Sequence, residues 1–527
     1  MIARKKIEFG DFQTPSELAQ EIVAFLRDSG ETVDAIVEPT CGRGSFVVAA
    51  IAAFPTAKAI YGFDINPQYV RDAGDTARQH GGRKLHLECR NFFQVDWAQF
   101  FSALGGTVLV IGNPPWVTNS ALGALGSDNL PEKTNFQGHN GFAAKTGKAN
   151  FDISEWMLIR LLEALHRRAG CVAMLCKTAT ARKTLRHAWL NRLNVGRCSL
   201  HLIDAQRHFG ASVAACLLIV HTGMPESTAT ACVYPDLSFN GRITTIGLAG
   251  KELVADTDEY LRLRNIDGIP YYTWRSGVKH DAAGVMEFQR ENGHFTNGRN
   301  EECRLETTYL FPLLKSSDIA NGRMTPVRYV LVTQRKPSDD TAEVKKIAPK
   351  TWAYLTAHAE ILDQRQSIIY QKRPRFSVFG VGDYTFSPWK VAISGLYKNC
   401  RFDVVGEHNG KPIVLDDTCY FIPCASEEEA RFVCELLNSE VCQRFLRSLV
   451  FLDAKRPITI DILNRVDLMR VAEHVNRATE ARRFLSAAAG FEDKQPLLVF
   501  EKKAEYRTKG SSVRRVPRQT HCAVLFE

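Results

Sequence analysis

The first 225 residues alternate between two apolar patterns. Short apolar-rich runs occur at DAIVEPT (34–40), AIYGFDI (59–65), KLHLECRNFF (84–93), TVLVIGNPPW (107–116), CVAMLC (171–176), SLHLIDA (199–205) and VAACLLIV (213–220). Runs of this length and density read as buried strands. Between them lie stretches of helical period: ELAQEIVAFL (17–26), SFVVAAIAAF (45–54), a polar stretch after residue 66, and DISEWMLIRLLEAL (152–165). The last sets Ile153, Met157, Leu161 and Leu165 on one face and ends in His-Arg-Arg-Ala-Gly, cations and then glycine, as a helix C-terminus should. Strands alternating with helices predict an α/β fold with a largely parallel sheet and ligands at the C-terminal ends of its strands.

After about residue 226 the pattern changes. Strands become shorter and less regular, with aromatics and turn residues between them and helical stretches such as TWAYLTAHAEILDQR (351–365) interspersed. The expected division is therefore an α/β domain over 1–226 and an α+β domain over 227–527. The C-terminal stretch EKKAEYRTKGSSVRRVPRQT carries seven Lys/Arg against two Glu and reads as a basic tail, solvated or in contact with phosphates.

Composition narrows the class. A chain of 527 residues holds two or three domains, and a net charge of +9 permits a polyanionic partner without demanding one. No apolar run approaches a membrane span, since the best, ASVAACLLIV (211–220), has the length of a strand. The start, MIARKKIEFGDFQTP, lacks the apolar core of a secretory signal. The fourteen cysteines form no CxxC pair and no Cys/His cluster at zinc spacing. The expectation is a cytoplasmic, metal-free protein with reduced thiols.

IVEPTCGRGSF (36–46) is a strand, an acid and a Gly-x-Gly turn entering a helix. A dinucleotide site would usually place a third glycine three positions after Gly44, where Val47 stands, so NAD and FAD are disfavoured. Twenty residues after Gly44, Asp64 ends the second strand and is placed to accept both ribose hydroxyls. Glu38, at the tip of the first strand, faces a cationic or amino-bearing ligand end. A nucleoside without pyrophosphate and with an amino-acid tail fits S-adenosylmethionine; a βαβ turn with a capping acid is the alternative.

A methyl donor gives Asn113-Pro114-Pro115-Trp116 a chemical job. The N6 amine of adenine is a poor nucleophile because its lone pair is delocalised into the ring. Two acceptors on its two N–H bonds, the Asn113 side-chain oxygen and the Pro114 carbonyl, would localise that pair for in-line attack on the sulfonium methyl. Proline fixes φ and brings no competing donor. Trp116 offers the base a π face. Stacking worth about 1–3 kcal/mol would offset much of the few kcal/mol that extruding a base from a duplex costs. A stiff turn with a packed tryptophan is the alternative.

With these motifs in order, the chain resembles a γ-class N6-adenine DNA methyltransferase of restriction–modification systems. DFQTPSELAQEIV (11–23) is similar to that family's N-terminal cofactor motif, which implies that Thr14 helps hold the methionine part. VEPTCGRGSF (37–46) resembles the main cofactor motif, implying Glu38, Gly42 and Gly44, and FDIN (63–66) the ribose-binding acid Asp64. RNFF (90–93) looks like the motif that contacts the cofactor adenine, with Asn91 where the family has an acid and Phe92 as the aromatic. NPPW corresponds to the catalytic motif, implying Asn113, Pro114 and Trp116. HFGASVAACLLIV (208–220) resembles the later motif whose aromatic, here Phe209, packs against the flipped base. The resemblance implies a class I, Rossmann-like methyltransferase fold with a mixed, mostly parallel sheet and a C-terminal target-recognition domain. It extends into that domain at TTYLFPLLKSSDIANGR (307–323) and at LDDTCYFIP through ELLNSE (415–440).

Candidate DNA contacts are Lys133, Lys145 and Lys148 in the long polar stretch after NPPW, which reads as a loop that orders over DNA, and Lys372, Arg373 and Arg375 in YQKRPRF. The implied partners are double-stranded DNA and a separate cognate restriction endonuclease, with the enzyme itself a monomer. Two readings stay open beside this one. The same two-acceptor geometry suits amines of RNA and glutamine side chains, and a non-catalytic DNA-binding relative would share the fold.

Overall fold

The structure, a computed structural model, describes residues 13–80, 84–118, 152–291, 293–371 and 373–488. The first half is built on a sheet whose strands are β1 (Ala35–Glu38), β2 (Ala59–Asp64), β3 (Leu85–Cys89), β4 (Val108–Gly112), β5 (Gly170–Lys177), β6 (Val195–Ile203), β7 (Ala215–Thr222), β8 (Thr230–Tyr234), β9 (Thr244–Ala249) and β10 (Glu252–Val254). Their spatial order is β3-β2-β1-β4-β5-β7-β6-β8-β9-β10. Strands β1 to β5 are parallel, while β7 enters between β5 and β6 and runs antiparallel to both. This mixed order is that of the class I methyltransferases the sequence resembles.

The helices are α1 (Ser16–Asp28), α2 (Ser45–Ala53), α3 (Pro67–Gln79), α4 (Trp97–Ala103), α5 (Ile153–Leu165), α6 (Thr178–Leu190) and the short α7 (Ala205–Phe209). The central strands read as unbroken apolar runs because both of their faces are covered. Ile36, Leu109 and Ile111 point into a core with Leu18 and Ile22 of α1 and Phe46 of α2. Val37, Val108 and Val110 point the other way, into Trp97 of α4, Leu158 and Leu162 of α5 and Leu185 of α6. The expected face Ile153, Met157, Leu161 and Leu165 of α5 is buried.

The expected division at residue 226 falls inside this sheet. Strands β8 to β10 continue it to Val254, because β8 finds a parallel partner in β6 and β9 and β10 meander outward from it. Val254 already belongs to the core of the second half. The amides of Ala255 and Asp256 both donate to the Ser448 carbonyl, at 2.7 and 3.0 Å. We place the division there.

The second half is α+β, as expected. Its strands are β11 (Arg275–Ser276), β12 (Glu287–Glu291), β13 (His294–Asn297), β14 (Glu302–Cys303), β15 (Leu310–Leu314), β16 (Arg328–Leu331), β17 (Trp389–Ser394), β18 (Phe402–Val405), β19 (Glu407–His408), β20 (Lys411–Pro412), β21 (Val414–Leu415) and β22 (Cys419–Cys424). One sheet has the order β14-β13-β12-β16-β15-β21 and another β11-β22-β17-β18, with β19 and β20 forming a short ribbon. Helices Glu427–Asn438, Glu440–Leu449, Leu468–His474 and Ala478–Ala488 cover the second of these sheets. The two stretches that resemble a target-recognition region meet in space. β15 pairs with β21, and the Ser316 hydroxyl bonds to the Thr418 carbonyl at 2.9 Å.

Candidate active site

The C-terminal ends of β1, β2 and β4 open into a cleft lined by Thr14, Glu38, Gly42, Asp64, Phe92 and Asn113 among others. Six residues singled out from scattered motifs thus meet in one place. The glycine turn builds its floor. Gly44 begins α2 at φ +87°, and a Cβ there would lie 2.8 Å from the Ala73 Cβ of α3, so this glycine lets the turn pack against a helix. Gly42, at φ +50°, brings its backbone into the cleft, where its amide donates to Asp64 Oδ2 at 2.9 Å. Asp64 Oδ1 accepts from the Asn66 amide at 2.8 Å, so both carboxylate oxygens are oriented by backbone N–H groups. The strap Gln13–Thr14 crosses the turn. Gln13 Oε1 accepts from the Arg43 amide at 3.2 Å, and the Thr14 carbonyl accepts from the Ser45 hydroxyl at 2.8 Å.

Glu38 is 3% exposed. Burial pushes its carboxyl well above the usual carboxylate range; a bond from the Val47 amide opposes this and the Asp64 carboxylate adds to it. Its Oε2 has no hydrogen-bond partner among the described residues. A buried acid oxygen left open in a cleft is costly unless a donor or cation completes it. An amino-bearing ligand end with a ribose beside Asp64 is such a complement, so these residues fit S-adenosylmethionine. Cys41 also lines the cleft, but burial, with Glu38 and Asp64 nearby, pushes its thiol far up and removes it as a nucleophile.

Asn113 follows β4 directly and lines the same cleft, as does Pro115. The Asn113 carbonyl accepts from the Thr40 hydroxyl at 3.5 Å, tying the turn after β4 to the turn after β1. Pro114 is not among the lining residues. Trp116 is 7% exposed, its ring edge-on to Phe209 at 5.2 Å and 65°. Phe209 closes α7 and packs at the margin of the same core. The two aromatics expected to hold a base therefore lie together, packed on each other, and neither is a lining residue of the cleft. Asn91 is not a lining residue either; its side chain caps the short turn after β3 by accepting from the Phe93 amide at 2.9 Å.

Of the expected DNA contacts, Arg375 is held bidentate by Asp363 at 3.2 and 2.7 Å and lies over the Phe376 ring. Arg373 donates to the Pro337 carbonyl at 3.4 Å. Lys133, Lys145, Lys148 and Lys372 lie outside the described residues, as do most of the polar stretch after NPPW and the basic tail. The motif reading missed Thr40, Ser45, Asn66, Tyr69, Arg90 and Met157, which also line the cleft. Lys177, at the tip of β5, was missed as well, and it donates to the Trp116 carbonyl at 3.0 Å. Away from the cleft, Glu31, Cys171 and His221 come close enough to suit a metal, a grouping that sequence spacing hides. The Arg197 guanidinium stands 3.3 Å from His221 Nε2 and 3.5 Å from Glu31, and supplies the positive charge there.

Fold and cleft together define a class I S-adenosylmethionine-dependent methyltransferase. The profile of the N-6 DNA methylases matches residues 2–236. Over 479 residues the chain is 43% identical to the Type II methyltransferase M.NspV of a Nostoc species, covering 90% of this chain and 98% of that protein. The chain belongs to the N-6 DNA methylase family. The Type IIL restriction-modification enzyme MmeI, solved in complex with DNA, superimposes with a TM-score of 0.53 over 93% of this chain and 77% of its own, at 13% identity; the likeness is one of fold.

Proposed function

We propose that this protein methylates N6 of an adenine turned out of double-stranded DNA at a specific sequence, as the modification enzyme of a restriction–modification system. The observation that carries the reading is Asn113 on the wall of the cleft that holds Glu38 and Asp64. S-adenosylmethionine supplies an electrophilic methyl on a sulfonium. Asp64 takes the ribose hydroxyls, and Glu38 takes the amino end of the methionine part. Asn113 Oδ1 and the Pro114 carbonyl accept the two N–H bonds of the target amine. With the cofactor bound, the N6 lone pair so exposed would take that methyl from sulfur, and the surplus proton would leave to water. The cleft's work is positioning and charge placement, with no side chain required to change protonation in the transfer step. Trp116 and Phe209 receive the extruded base once they part. A separate cognate endonuclease as partner and a monomeric modification enzyme are part of the same proposal; MmeI, which shares the fold, is itself a restriction-modification enzyme. No helix among the described residues is long and apolar enough to cross a membrane.

The test is transfer of labelled methyl from S-adenosylmethionine to unmodified genomic DNA, with N6-methyladenine mapped by sequencing. Label at adenines of one recurring short sequence is expected. Label in RNA or in protein glutamine instead, or none with cofactor bound, would overturn the reading. Phosphate contacts imply that DNA affinity falls steeply with salt. Six contacts give a log–log slope near −5, from about −0.9 per phosphate neutralised. A flat profile in fluorescence anisotropy between about 50 and 200 mM salt would contradict DNA as the substrate.

Glu38 makes cofactor binding pH-dependent. Its folded-state carboxyl holds a proton that the unfolded chain has released, so its burial destabilises the cofactor-free protein as pH rises above the ordinary glutamate range. Meeting an ammonium group restores the ionised form, so binding releases a proton and tightens with rising pH until Glu38 ionises unaided. The rise in melting midpoint caused by S-adenosylmethionine should grow as pH is raised above the ordinary glutamate range, and Glu38→Gln should flatten that dependence. An equal pH dependence in Glu38→Gln would assign the effect to another group.

A further inference from the structure

Lys177 ends β5 and immediately precedes α6. Its ammonium donates to the Trp116 carbonyl at 3.0 Å and pairs with the Asp152 carboxylate at 2.6 Å. Asp152 caps α5, accepting from the Ser154 amide at 3.1 Å, and forms an isolated bridge with Thr118. The Ile153 amide donates to the Val117 carbonyl at 2.9 Å. One cation therefore joins the chain leaving the NPPW turn to the chain entering α5. The ion pair is sheltered, with the lysine side chain 26% and the aspartate 10% exposed.

The next residue reaches the other half of the molecule. The Thr178 hydroxyl donates to the Asp453 carboxylate, and Arg182, one turn along α6, donates to the same oxygen at 2.9 Å. The Arg182 guanidinium lies 4.4 Å over the Phe451 ring, which packs against the core of the first half. Phe451 and Asp453 follow helix Glu440–Leu449 of the second half.

We infer that Lys177 is a positioning residue for methyl transfer, holding the Trp116 carbonyl so that Asn113 and Pro114 keep register with the cofactor cleft, and that the second half sets this hold through Phe451 and Asp453. The inference rests on the role proposed for Asn113. Two consecutive prolines with fixed φ stand between Asn113 and Trp116, so the turn moves as a stiff unit and a restraint on the Trp116 carbonyl reaches Asn113. A displacement of about 1 Å in such a site costs on the order of 100-fold in rate.

The test uses the full-length chain with Lys177→Met and Asp453→Ala. Lys177→Met should lower kcat about 100-fold and leave the Kd for S-adenosylmethionine close to that of the unaltered protein, while the melting midpoint falls because Asp152 loses its sheltered partner. It should also speed backbone hydrogen exchange at 116–118. Asp453→Ala should move kcat and exchange in the same direction by about tenfold, and leave cofactor affinity alone. Unchanged kcat and exchange in Lys177→Met would overturn the inference. So would a loss of cofactor affinity as large as the loss of rate, because that marks general damage to the cleft. A silent Asp453→Ala beside an affected Lys177→Met would remove the second half from it. If the unaltered protein transfers no label to DNA, the proposed function fails, whereas the exchange measurement still decides whether Lys177 holds the turn.

Discussion

Asn113→Ala should lower methyl transfer by roughly 100- to 1,000-fold, the cost of deleting one preorganised polar group at a reacting centre, while S-adenosylmethionine binds almost as before. The separation follows from geometry. Asn113 meets the cleft at the end of β4, whereas the groups suited to hold the cofactor come from the turns after β1 and β2. Its backbone carbonyl carries the bond from Thr40, and a change to alanine leaves that bond in place. Single-turnover transfer and calorimetric cofactor binding, measured on the same preparation, check both halves of the expectation. A loss of cofactor binding as large as the loss of rate would make Asn113 part of the cofactor's wall rather than an acceptor for the target amine.

The second large effect falls on binding. Asp64→Ala removes a carboxylate that accepts from the Gly42 and Asn66 amides and, in the proposed reading, from both ribose hydroxyls. Bonds to charged groups are worth about 1.5–3 kcal/mol each, so losing two from the ribose should weaken the cofactor at least ~100-fold. The freed Gly42 amide also loosens the glycine turn, which adds to the loss. Asp64→Asn should recover part of the affinity, since an amide oxygen still accepts one bond. Titration of the cofactor against intrinsic fluorescence reads all three proteins. Affinity in Asp64→Ala within about threefold of the unaltered chain would rule out the ribose contact.

Much of the catalytic half was legible because its signals are local. Parallel strands buried on both faces announce themselves as dense apolar runs, and their tips carry the acids and the NPPW turn. Helix α6 was harder to see. Ala181, Leu185 and Ala188 form its buried face, but the interleaved cations Arg182, Lys183 and Arg186 blur that face along the chain. Asn91 shows a second meaning that a motif position can carry. Its motif position suggested a ligand contact, while an asparagine two residues before a free amide makes a cap as readily. Lys177 could not be found from sequence at all. A lone lysine after a strand has no motif, and both of its partners are set by folding, one of them 61 residues away. The extension of the sheet by β8 to β10 is hidden for the same reason: strand pairing is decided between distant segments, and TACVY and TTIGLA carry no mark of which sheet they will join.

In the proposed reading, where the second half recognises the DNA sequence, that extension bears on how specificity could be transplanted between relatives. A graft cut at residue 226 would take β8, β9 and β10 from the edge of the catalytic sheet and leave β6 with a bare rim, a template for pairing with other chains. A cut near residue 255 spares the sheet but parts Ala255 and Asp256 from the Ser448 carbonyl, and separates Thr178 from Asp453 unless the donor brings an equivalent acid. The exchangeable cassette is therefore better drawn as an insert between Val278 and Val381, the stretch that builds most of a separate core around β12 to β16, so that the sheet β11-β22-β17-β18 stays with the helices that cover it. Helix Glu440–Leu449 and the loop after it would then stay with the host as the hinge plate on which each new reader is mounted.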